Sequence, residues 1–149
     1  MTDDAPMGGD ALDDARDRIL DAAMPDVAFD GWSERTLRSA VERSGVDPAL
    51  ARMAYPRGAV DLALRFHDRA DETLRRELET SPMGDMRMRD RIAHAVRRRL
   101  ELVARDREAV RRGATLFALP IYATDGAQAI WRTADTIWTA LGDASDDVN

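Results

Sequence analysis

The stretch "AVERSGVDPALARMAYPRGAVDL", Ala40 to Leu62, decides how the chain is read. Gly45 stands where a helix ending at Ser44 needs a left-handed residue to close its last turn. Asp47–Pro48 then supplies a carboxylate N-cap and a proline whose fixed φ suits the first helical position. Tyr55–Pro56–Arg57–Gly58 breaks that short helix and opens the way to the next. Two short helices joined by a glycine-containing turn, with a third helix before them, make a helix-turn-helix.

Working outward, residues 1–9 carry Pro6, Gly8 and Gly9 and read as a disordered lead-in. Asp10 caps a first helix to about Met24, with Leu12, Ala15, Ile19, Ala22 and Ala23 on one face, and Pro25 stops it. The link "PDVAFDGW" leads to Ser33, the N-cap of a helix that turns Leu37, Ala40 and Val41 inward. Downstream, Ala59 to about Thr80 repeats Leu62, Phe66, Ala70, Leu74 and Leu78 every four residues, until Ser81–Pro82–Met83–Gly84 ends it. A fifth helix, Asp85 to Ala104, presents Met88, Ile92, Ala95, Val96, Leu100 and Val103 on one side. Asp106 caps a sixth helix to Leu119. A seventh, Thr124 to Leu141, places Ala127, Ile130, Trp131, Ala134, Ile137, Trp138 and Leu141 on one wide apolar stripe. No period-two run suggests a strand, so the class is all-α. The parts are a lead-in (1–9), a degenerate helix-turn-helix (10–57), a helical ligand-binding half (58–142) and an acidic tail (143–149).

Composition narrows the function. The 149 residues suit one domain, and 44% hydrophobic residues suffice for a core. No cysteine is present, which removes disulfides, thiolate metal sites and cysteine nucleophiles. His67 and His94 are the two histidines, and neither falls in a metal-ligand spacing. Phosphate-binding glycine loops are absent, and Ser33, Ser39, Ser44, Ser81 and Ser145 lie in no nucleophile elbow. The expectation is a protein that is not an enzyme and holds neither cofactor nor metal. No run of about 18 apolar residues occurs and the N-terminus is acidic, which points to the cytoplasm rather than to export or a membrane span. All 22 cations are arginine, and the net charge is −6, which repels nucleic acid at long range.

The pattern around Ala40–Leu62 resembles the N-terminal half of TetR-type regulators, with Leu37, Ala40, Ser44–Gly45–Val46, Met53 and Tyr55–Pro56–Arg57–Gly58 at the matching positions. A helix that reads DNA carries basic or amide side chains at its N-terminal end. Here Asp47, Pro48, Ala49 and Leu50 stand there, with Arg52 the one cation of "DPALARMA", and "YPRG" replaces the aromatic pair and lysine of that pattern. Against this, Arg35, Arg38, Arg43, Arg52 and Arg57 outnumber Glu34, Glu42 and Asp47 in the segment. No nucleic acid is expected as a partner. A TetR-type transcriptional regulator is the alternative reading.

A second resemblance spans nearly the whole chain. "YPRGAVDLALRF" matches an "FPxG" turn followed by "xxDLxxxF", and a late helix leads through "IWRTADTIWTALGDASDDVN" into a "GDxSxDxN" pattern. Together with "RDRIAHAVRRRLEL" and "LFALP" between them, these segments resemble the ubiquinone biosynthesis accessory family, the ninth coenzyme Q biosynthesis factor and its bacterial relatives. The resemblance implies a TetR-like fold whose C-terminal part encloses an apolar, lipid-holding pocket. It also implies a non-catalytic protein that presents an isoprenoid quinone precursor to the di-iron demethoxyubiquinone hydroxylase, peripherally at the inner face of the membrane. TetR-type proteins commonly pair through their last helices, so a homodimer is implied as well. In that family the chain continues beyond "DxN" through an aromatic pair and further helices, including a membrane-seeking one. A chain ending at Asn149 is therefore expected to be C-terminally truncated.

Trp131 and Trp138 lie seven residues apart on one face. They read either as packed core or as the wall of a lipid pocket or partner surface. An isoprenoid tail needs apolar walls with few polar groups, because its binding comes from area removed from water. The candidates facing Trp131 across such a pocket are Leu74, Leu78, Ile92, Val96, Leu100, Val103, Leu116 and Phe117. By resemblance, Trp138, Asp143, Asp146 and Asn149 belong to the surface that meets the hydroxylase. Between Arg87 and Arg112, ten arginines face Asp90, Glu101, Asp106 and Glu108; they read as a solvated face laced with ion pairs or as a contact for anionic headgroups. The carboxylates Asp135, Asp143 and Asp146 lack the glycine and distal glutamate of an EF-hand loop. His67 and His94 read as ordinary structural side chains.

Overall fold

The computed structural model describes residues 8–146, with side chains for residues 8–142, and among these seven α-helices and no strand. They are α1 (Gly8–Asp30), α2 (Glu34–Ser44), α3 (Pro48–Ala54), α4 (Ala59–Thr80), α5 (Met88–Val103), α6 (Arg107–Phe117) and α7 (Ala123–Asp146). Single 3₁₀ turns, Ala104–Asp106 and Pro120–Tyr122, join α5 to α6 and α6 to α7. The all-α expectation holds.

Local chemistry sets the ends of α2 and α3. Ser33 Oγ accepts from the Thr36 amide at 3.2 Å, and Gly45 closes α2 in the left-handed region at φ +70°. The Asp47 carboxylate accepts from the Ala49 and Leu50 amides at 3.1 and 3.3 Å, with Pro48 in the first turn. The start of α4 is capped from elsewhere: Glu34, on α2, accepts from the Ala59 amide at 3.0 Å. That contact explains Gly58, which lies at φ +79° and where a Cβ would collide with the Glu34 carboxylate.

Several boundaries differ from expectation: α5 starts at Met88, α6 ends at Phe117 and α7 runs on to Asp146, and three further ends have a local cause. α1 does not stop at Pro25 but runs through it to Asp30. Proline removes the bond to the carbonyl four residues back, here Asp21. The loss is offset by side chains from α2: Arg43 donates to the neighbouring Ala22 carbonyl at 2.7 Å and to the Asp26 carboxylate, while Ala23 and Val27 are fully buried. Arg112 then covers the end of α1 by donating to the Phe29 carbonyl at 3.0 Å. Asp10 sits inside the first turn of α1, which begins two residues earlier, at Gly8. Asp106 makes no capping bond; the 3₁₀ turn carries the chain into α6 instead.

α4 is the central strut: α7 packs along its length, α5 against its C-terminal half, and α1 and α2 against its N-terminal half. The larger core gathers Ile19, Leu20, Val27, Trp32, Leu62 and Phe66 between α1 and α4, with Val103 and Ala109 from the later helices. Trp32, in the link between α1 and α2, ties that link to α6 by donating from Nε1 to the Ala109 carbonyl at 2.9 Å. A second core joins Leu74, Leu78, Met83, Ala95, Ile137, Ala140 and Leu141.

One polar link lies between these cores. Asp71 on α4 receives Arg99 Nε from α5 at 2.8 Å and the Thr133 hydroxyl from α7 at 2.7 Å, with both charged side chains about nine-tenths buried. Arg99 also donates to the His67 carbonyl at 3.2 Å. Truncating either charge leaves the other buried and unpaired, which costs about 3–5 kcal/mol. Asp71→Ala and Arg99→Ala are therefore expected to lower the urea unfolding free energy by about that much. Arg132→Ala, which breaks a half-exposed pair with Asp68, should cost less than about 1 kcal/mol in the same assay.

Candidate functional site

α6 and α7 leave between them an open groove of about 640 Å³. Val110, Ala114, Phe117 and Ala118 form one wall, Ala123, Gly126, Ala127 and Ile130 the other, with His67, Ala129 and Thr133 at the base. The helices approach closely at one end, where a Cβ on Gly126 would stand 2.8 Å from Phe117 Cβ. Small residues on both walls keep the space open, since Ala114, Ala118, Ala123 and Ala127 project little more than their backbone. The lining is apolar apart from His67 and Thr133, which suits a hydrocarbon ligand with few polar atoms.

From the rim of the groove, where Ala127 and Ile130 stand, α7 exposes a continuous apolar stripe. Ile130, Trp131 and Trp138 are 74, 75 and 72% exposed, and Ala127 and Ala134 lie on the same side. The stripe expected on α7 is thus split. Ile137 and Leu141 enter the core, whereas both tryptophans face outward.

The nine residues expected to line a lipid pocket are not brought to one cavity. Leu74 and Leu78 are buried in the second core with Ile92 packed against it, and Val103 lies in the first. Leu116 and Phe117 bridge the first core and a small cluster of Val60, Leu64 and Ala129, and Phe117 also lines the groove. Val96 and Leu100 point to solvent, as does Trp131. The reason is a rotated α5, whose buried side is Arg91, Ala95, Arg99 and Val103. Arg91 reaches the Met86 and Gly84 carbonyls at 3.0 and 3.3 Å, and Arg99 reaches Asp71, so two charges occupy positions that apolar periodicity assigns to the surface. Of the residues expected to meet a partner, Trp138 is exposed. Asp143 and Asp146 have only their backbone described, as the end of α7, and Asn149 lies outside the described residues.

His67, read from sequence as ordinary, is the polar feature of the groove. Its ring packs between Phe66 and Phe117, with centroids 5.1 and 6.4 Å away, and Arg99 Nη2 stands 3.4 Å from Nδ1. Burial, reinforced by the Arg99 guanidinium and opposed by Asp71, pushes His67 down to about 4. The available signal was the spacing His67/Asp71, one turn apart on an otherwise apolar face of α4.

The basic segment is largely consumed within the fold. Arg91, Arg99 and Arg112 bond to buried or backbone partners, Arg98 pairs with Glu77 and Glu101, and Arg111 pairs with Glu108. Arg87, Arg89, Arg97, Arg105 and Arg107 remain exposed. A second groove of about 600 Å³ crosses α2 and α3, where Glu34, Arg38, Glu42, Arg52 and Arg57 mix both signs of charge. Arg57 is held there by a two-pronged pair with Asp125 of α7 at 2.7 and 2.9 Å. Along the outward face of α3 the one cation is Arg52.

No family model matches the chain. It is similar to the ubiquinone biosynthesis protein COQ9, mitochondrial, of Drosophila melanogaster, at 28% identity over 140 residues. The match covers 91% of this chain, which spans 43% of the length of that relative. No helix among the described residues is long and apolar enough to cross a membrane.

His67 gives this site a pH signature. In the folded chain it stays neutral down to about pH 4, whereas in the unfolded chain it takes up a proton near pH 6.5. Between those values the unfolded state binds more protons, so its contribution to stability is complete above about pH 6.5 and is lost as pH falls toward 4. His67→Gln should flatten this part of the profile, read as the urea midpoint at about pH 7 and about pH 5 in both proteins.

Proposed function

We propose that the chain is a non-catalytic accessory protein of ubiquinone biosynthesis, which holds an isoprenoid quinone precursor in the α6–α7 groove and presents it to the demethoxyubiquinone hydroxylase. The observation that carries the reading is the apolar groove of α6 and α7, and similarity to the COQ9 protein over 91% of the chain supports the pathway. Each Å² of tail surface removed from water contributes ~25 cal/mol, so alanine and phenylalanine walls suffice without specific polar contacts. Of the nine residues first considered for the pocket, Phe117 has the most direct part. Leu116 supports it from behind, and the buried Leu74, Leu78, Ile92 and Val103 keep the supporting helices in place.

In this reading α1 to α3 form a degenerate helix-turn-helix in a TetR-like arrangement, and α4 to α7 carry the ligand. The outward stripe of Trp131 and Trp138 is the side offered to the hydroxylase, and by resemblance Asp143, Asp146 and Asn149 contribute to the same contact. Val96 and Leu100 add apolar surface on α5. Contact with the membrane is peripheral, through the exposed arginines of α5 and α6, each worth at most about 1 kcal/mol at an anionic surface. Pairing of two copies through α7 would compete for the same stripe. With Arg57 tied to Asp125 and Arg52 alone on the outward face of α3, nucleic acid is not among the proposed partners.

Native mass spectrometry of the gently purified chain, followed by organic extraction, tests the proposal. An isoprenoid quinone or its precursor is expected to co-purify, and to be lost from Ala114→Trp, whose indole fills the groove from its α6 wall while leaving the cores untouched. Equal lipid occupancy in the two proteins would place the ligand elsewhere, and a chain empty of lipid after such extraction would count against a carrier role.

A further inference from the structure

Resting on the α6–α7 groove as a ligand site, we propose that His67 Nε2–H is a fixed hydrogen-bond donor that selects, among apolar molecules, those carrying a neutral oxygen acceptor such as a carbonyl. The argument begins with Arg99, whose guanidinium donates and does not accept. Its Nη2 lies 3.4 Å from His67 Nδ1, and its Nε is anchored to the buried Asp71 at 2.8 Å. Nδ1 must therefore act as acceptor, and the neutral ring carries its proton on Nε2. Protonating the ring would place a second cation against Arg99, so the donor is maintained without becoming a charge.

The Nε2 edge faces away from that network, toward α6. It makes no hydrogen bond to any described residue. Gly113 stands beside it, and a Cβ there would come 3.7 Å from Nε2 and 3.6 Å from Trp32 Nε1. The indole donor itself is occupied by the Ala109 carbonyl. The Thr133 hydroxyl at the base of the groove is likewise occupied, by Asp71. His67, whose ring lines the groove, thus brings it a side-chain donor that no described residue occupies, and a ligand with no acceptor leaves that donor unsatisfied.

Two probes that differ by one carbonyl separate this donor from the groove itself: phenyl hexyl ketone and hexylbenzene, titrated into the full chain and followed by calorimetry. Wild type should bind the ketone roughly fivefold to tenfold more tightly. In the long-range ¹H–¹⁵N imidazole spectrum, His67 Nε2 should be the protonated nitrogen, and its proton should shift with the ketone but not with hexylbenzene. His67→Phe should lose the preference for the ketone over hexylbenzene. Gly113→Ala, whose added methyl meets neighbours only at ordinary contact distances, should also remove the preference and provides the test if the first variant is unstable. Equal affinity of wild type for the two probes, or a proton on Nδ1, would overturn the donor while leaving the groove as a ligand site. Failure of wild type to bind either probe would overturn both.

Discussion

The ion pair of Asp71 and Arg99 is where α4, α5 and α7 meet. Two charges about nine-tenths buried are stable only if their remaining hydrogen-bonding capacity is met. Thr133 from α7 and the His67 carbonyl from α4 meet it. The requirement fixes how α5 is rotated about its axis, since Arg99 must point inward. It fixes the depth at which α7 lies on α4, since Thr133 must reach the same carboxylate oxygen. The His67 ring is set by the same guanidinium, so the base of the groove and the centre of the helical half share one constraint.

That constraint also shows why the two halves of the chain differ in how openly the sequence declares them. The caps Ser33, Gly45 and Asp47–Pro48 are local features, satisfied within a few residues, and they lie in the structure where the sequence places them. α1 passes through Pro25 because Arg43 and the buried Val27 stabilise the continuation, and neither interaction is local to the proline. On α5, hydrophobic spacing selects Val96 and Leu100, but the buried positions include Arg91 and Arg99. An arginine is read as a surface residue until its partner is known, and Asp71 lies 28 positions away. The α7 stripe was legible as apolar, yet which half of it packs depends on α4 and α5. His67 was visible as a residue but not as a donor, because its tautomer is set across helices by Arg99.

The arginines illustrate a wider division of labour. In a chain with no lysine, guanidinium groups cap the end of α1, stitch α2 to α1, hold the "YPRG" turn against α7 and fill the inner face of α5. Planar, multidentate donors suit these tasks better than an ammonium would. A locally basic sequence segment therefore overstates the positive charge available to outside partners. What the surface offers instead is apolar: a small-residue groove between α6 and α7, with Ile130 at its edge, and beside it Trp131 and Trp138 on the outer side of α7. The first is an open trough walled by small apolar residues, and the second is a flat, exposed face. In the proposed function they are the cargo site and the presenting surface, respectively.

Photolabelling with an isoprenoid tail bearing a diazirine, followed by peptide mapping, tests the cargo site most directly. The account predicts adducts within 110–118, on α6 and its C-cap, and within 123–130 of α7, suppressed by excess unlabelled isoprenoid. Saturable labelling confined to the α2–α3 groove, or to the Trp138 end of α7, would contradict it.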